Sequence, residues 1–65
     1  MDDFDLVMKF DQDGPETDEE AAAMALLFVR TGLIYSAGRY GRFVQYCLDA
    51  GLLTDDEVDA ARRPR

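Results

Sequence analysis

The run Ala21–Val29, AAAMALLFV, constrains this chain more than any other stretch. It is the only segment long enough and apolar enough to seed a core. As a helix it is apolar almost all round, which is the pattern of an element buried on several sides. It is also far short of the roughly 20 residues that span a bilayer. Something must therefore cover it. The chain has 65 residues, enough for one domain at most. A domain of this size buries only about 60% of the surface that its unfolded chain exposes. Small domains usually lean on a disulfide, a metal or a second subunit. Cys47 is the single cysteine and there is no histidine, so neither an internal disulfide nor a thiolate–imidazole zinc site has its partners. Association is the support that remains, and a two-fold homodimer is the leading expectation.

Charge divides the chain unevenly. The net charge is −7, yet residues 1–20 alone carry nine acids and one lysine, or −8. Residues 21–53 carry +2 and residues 54–65 carry −1. An acidic N-terminal arm thus precedes a mildly basic middle, and such an arm repels phosphate. The N-terminus shows no basic region followed by a long apolar run, so a cytoplasmic protein with no membrane segment is expected. Six of the seven basic residues are arginine and asparagine is absent, a bias that suggests a GC-rich bacterial or phage genome.

Residues 3–10 alternate, with Phe4, Leu6, Met8 and Phe10 on one side and Asp3, Asp5, Val7 and Lys9 on the other. That period predicts a half-buried β-strand. A lone strand needs a neighbour for its backbone groups, and no second stretch in this chain reads as one. The strand is therefore expected to pair with its copy across a dimer axis. Residues 11–17, including Asp-Gln-Asp-Gly-Pro, read as a turn. Thr17-Asp-Glu-Glu20 reads as a capping box opening helix 1 over 18–31, with Gly32 as its left-handed stop or, alternatively, a helix continuing to about Ala37. Tyr40, Phe43, Val44, Cys47 and Leu48 recur at spacings of three and four, predicting an amphipathic helix 2 over 37–50. A second box, Thr54 to Glu57, opens a short helix 3 over 55–63.

The expected architecture is mainly α: an N-terminal strand, two main helices and a short third helix, intertwined with a second copy. In element order, residues 3–50 are similar to the ribbon-helix-helix dimers. That resemblance implies strands paired across the two-fold and set in the DNA major groove. The outward strand positions here are acidic or apolar apart from Lys9, and two paired arms would bring together about −16 (twice −8), which phosphate opposes. The resemblance therefore supports a scaffold, with Phe4, Leu6, Met8, Phe10, Met24, Leu27 and Phe28 as dimer-interface candidates, and does not support DNA reading by the strands.

Candidate chemistry is sparse. Counted from Lys9, the residues Asp11, Asp13, Gly14 and Glu20 fall at the third, fifth, sixth and twelfth positions of a calcium loop. The first position, however, is a lysine, and a turn plus a capping box explain each residue. Gly38-Arg39-Tyr40-Gly41 has the GxxG form of some RNA-clamping loops, but the sheet those domains need is missing from the pattern. Cys47 lies on an apolar helix face with no histidine to activate it, and Ser36 has no base. No catalytic residue, cofactor or metal is expected, and an enzyme is not.

Binding is the reading left. Arg39, Tyr40, Arg42 and Tyr46 form an Arg/Tyr band on helix 2, residue types favoured at binding hot spots. Asp2, Asp3, Asp5, Asp11 and Asp13 would steer a cationic partner, or stand in for DNA phosphates. The favoured function is a small acidic, dimeric regulator or inhibitor of bacterial or phage type that binds a basic protein surface. The alternatives are a nucleic-acid-binding regulator using Arg39, Arg42, Arg62, Arg63 and Arg65, and a structural subunit of a larger assembly.

Overall fold

The computed structural model describes residues 3–62, which form α1 (Asp3–Gln12), α2 (Asp18–Thr31), a 3-10 turn (Leu33–Tyr35), α3 (Gly38–Asp49) and α4 (Asp55–Arg62). Helices 1, 2 and 3 of the sequence reading correspond to α2, α3 and α4. Asp2, Arg63 and Arg65 lie outside the described residues, as does the side chain of Asp3.

The N-terminal segment is a helix, which overturns the expected strand and with it the ribbon-helix-helix element order. The reason is backbone satisfaction. A helix closes its own N–H···O=C bonds, whereas a strand in this chain has nothing to pair with. The alternating residues are then split between faces. Leu6, Val7 and Phe10 pack on the core, while Phe4 and Met8 stay exposed. Val7, outward in the strand reading, turns inward; Phe4 and Met8, inward in that reading, turn outward. The turn residues end this helix: the N–H groups of Asp13 and Gly14 both donate to the Lys9 carbonyl at 2.8 Å, and Gly14 takes φ 78°. Pro15 follows and forbids continuation.

The apolar run occupies α2, and the chain itself covers it. Ala21, Met24, Ala25, Leu27, Phe28 and Val29 are all buried, and α1, the 3-10 turn, α3 and α4 each pack against this helix. Its N-terminus is capped by the Thr17 hydroxyl, which accepts from the Glu20 N–H at 3.1 Å. The Glu20 carboxylate reaches back one residue further than expected, accepting from the Glu16 N–H at 3.0 Å rather than from Thr17. The helix stops at Thr31 because Gly32 adopts φ 81°, so the continuous helix to Ala37 does not form.

Gly38 to Gly41, the GxxG stretch, is the first turn of α3 and not a loop. At the far end, the Gly51 N–H donates to Leu48 and the Leu52 N–H to Cys47, with Gly51 at φ 77°, the paired bonds of a Schellman stop. α4 opens with a fully reciprocal box: the Thr54 N–H donates to the Glu57 carboxylate at 3.1 Å and the Glu57 N–H to the Thr54 hydroxyl at 3.2 Å. Leu53 and Val58 drop from this end into the core.

The core centres on a group of rings. Phe10 meets Phe28 edge-on at 4.9 Å and Phe43 at 4.8 Å, and Phe28 lies 4.7 Å from Tyr40. Aromatic pairs at these separations add to what area burial alone supplies. They tie α1, α2 and α3 to one point.

Candidate interaction surface

Among the described residues two ion-paired contacts join α1 to the rest of the fold. The Lys9 ammonium donates to the Glu20 carboxylate at 3.0 Å and lies 3.7 Å from Glu16. Hydrogen bonding to Glu20 raises the Lys9 pKa, and the Glu16 N–H, followed by Lys9, lowers that of Glu20. This contact also resolves the calcium-like spacing. Helices do flank the stretch, contrary to the strand expected before it, but the cation at its twelfth position is the chain's own Lys9. Among the described residues no group of three or more histidine, cysteine, aspartate or glutamate side chains is arranged to hold a metal ion.

The second contact joins Asp11 to Arg39 at 3.0 Å. The Arg39 guanidinium also donates to the Tyr40 hydroxyl at 3.0 Å and sits 4.9 Å from the centre of that ring. Sequence reading placed Asp11 and Arg39 in two separate binding features; the structure brings them together and spends each on the other. Tyr40 is buried, at 6% exposure, so it belongs to the core and not to a surface band. Nothing in the sequence flags the Asp11–Arg39 pair, because 28 positions separate its members.

The interface candidates sort by burial. Met24, Leu27 and Phe28 are between 0% and 2% exposed within one chain and offer no surface to a second copy. Leu6 and Phe10 pack against the same core. Phe4 and Met8 alone of that set are open, at 68% and 42%. Asp5 and Asp13 are exposed as well.

On α3, Arg42 and Tyr46 line a shallow groove with Gln45, Asp49 and Ala50. The Gln45 amide donates to Asp49 at 2.9 Å across this face. Tyr46 is 59% exposed, and Tyr35 on the 3-10 turn, which sequence reading passed over, is 77% exposed. Cys47 is fully buried; its thiol faces the Ala21 carbonyl at 3.8 Å, and burial raises its pKa. Such a thiol is a packing group rather than a nucleophile.

Among the described residues no helix is long and apolar enough to cross a membrane. No protein-family model matches the chain, and no curated protein or solved structure is significantly similar to it.

Proposed function

We propose that this chain is a non-enzymatic interaction protein that binds a basic surface on another protein, as a regulator or inhibitor does. The observation that carries the reading is a combination: large apolar side chains stand open on a surface whose net charge is −7. Acidic groups speed and orient the encounter with a cationic partner, and the exposed rings and thioether supply contact area. Phosphate mimicry by the aspartates is the weaker form of the idea, since Asp11 is already matched by Arg39. The same pairing offsets the charge that Arg39 would bring to a nucleic-acid site.

Cytoplasmic residence fits a buried free thiol in a fold with no need of an oxidising compartment. A two-fold partner is left out of the proposal, because α2 finds its cover within one chain. Sedimentation at several concentrations is expected to give the mass of a single copy.

The test is capture on immobilised protein at about 50 mM salt, followed by elution at rising ionic strength, where screening shortens the reach of surface charge. Partners of basic character that elute as salt rises are expected. Retention of nothing, or only of partners indifferent to salt, overturns the reading. A gel shift with DNA at the same low salt is expected to be negative.

A further inference from the structure

We infer that the outer face of α1 is a docking surface for a cationic amphipathic helix of a partner protein. This deepens the proposed function and rests on it. Phe4 and Met8 stand four residues apart, so they form one ridge along the side of α1 opposite Leu6 and Phe10. They are 68% and 42% exposed. Asp5 flanks the ridge on one side as an exposed carboxylate; on the other side stands Asp11, which is already paired with Arg39, in a segment (residues 1–20) whose net charge is −8.

The cations that reach this helix are engaged by its own neighbours. Lys9, the one basic residue of α1, turns inward to Glu20 and Glu16. Arg39 reaches α1 from α3 and is engaged by Asp11. The outer face is therefore an apolar ridge in an acidic setting, and its complement is an apolar stripe bordered by lysine or arginine. A helix of that kind lays its apolar side along the ridge and its cations over the Asp5 flank. A second copy of this chain is the wrong partner, because two such faces would bring together segments of −8 each.

The experiment uses a fluorescent Leu/Lys peptide of about 14 residues, nearly four helical turns, titrated with the 65-residue protein and followed by anisotropy. A Leu/Glu peptide of the same pattern and a lysine peptide without an apolar stripe serve as comparisons. The Leu/Lys peptide is expected to bind, more weakly as salt rises, and the Leu/Glu peptide is not. Phe4→Ser and Met8→Ser are each expected to weaken binding by about tenfold or more, the scale of a hot-spot truncation. Tyr35→Ser, on another exposed ring, is expected to leave it unchanged; circular dichroism of each variant checks that the fold is intact. If the Leu/Lys peptide binds wild type and all three variants alike, the docking face is wrong while the proposed function survives. If the lysine peptide binds as tightly as the Leu/Lys peptide, the apolar ridge has no role and the inference fails. If no cationic peptide binds at low salt, both fall. Loss of peptide binding to self-association, seen as a mass that doubles with concentration, would make the face an interface between copies and would also overturn the inference.

Discussion

α1 and α2 are built from similar apolar residues, yet they use them in opposite ways. In α2 the apolar side chains wrap most of the helix and every neighbouring element lands on them. In α1 they are divided, with Leu6, Val7 and Phe10 directed to the core and Phe4 and Met8 to solvent. Burial of α2 is what folding this chain accomplishes. Burial of α1 is half complete, with Phe4 and Met8 left to solvent. The position of an apolar residue on its helix, and not its hydrophobicity, decides which of the two tasks it performs.

That contrast predicts a graded series of effects. Phe28→Ala removes a fully buried ring and is expected to cost about 3–5 kcal/mol, enough to unfold most of a 65-residue domain; urea unfolding followed by circular dichroism measures it. A variant as stable as wild type would mean that α2 is not the centre of the fold. Phe10→Ala removes a half-buried ring in the same cluster and is expected to cost roughly 1–3 kcal/mol. A loss equal to that of Phe28→Ala would erase the distinction between the two helices.

A smaller effect tests the contact between them. Glu20 is held below its usual pKa by the Glu16 N–H and then by Lys9, so it binds a proton less readily in the folded state than in the unfolded. Its contribution is present above the unfolded value, near pH 4.3, and is lost as pH falls through the lower folded value. Glu20→Gln is therefore expected to lower the melting temperature at pH 7 and to make little difference at about pH 2. A gap between variant and wild type that does not close in acid would show that the carboxylate acts there without its charge. The smallest effect belongs to the outer face: Phe4→Ser or Met8→Ser is expected to change stability by no more than about 0.5 kcal/mol, as exposed substitutions usually do.

The helix boundaries that depend on neighbours in sequence were readable from sequence. Thr17 and Thr54 each cap the helix that follows, and Gly32 and Gly51 take the left-handed angles that end the helix before. Each of these needs only three to five consecutive residues to act. The N-terminal ten residues misled for a physical reason: Phe4, Leu6, Met8 and Phe10 satisfy a period of two as well as any strand. Two signals favoured the helix. Leu6, Val7 and Phe10 share a helical face, and Gly14-Pro15 is as good a helix stop as it is a turn. The surface was the least legible part, since the Asp11–Arg39 and Lys9–Glu20 pairs join residues that only the fold brings close.

The thiol at the centre has an experimental use of its own. Cys47 is the chain's sole sulfhydryl, sealed from solvent and further quieted by a raised pKa. An alkylating reagent has to wait for the molecule to come apart before it reacts. The labelling rate in plain buffer, with no denaturant added, would therefore scale with the fraction of molecules that are open and rank the variants above by that fraction.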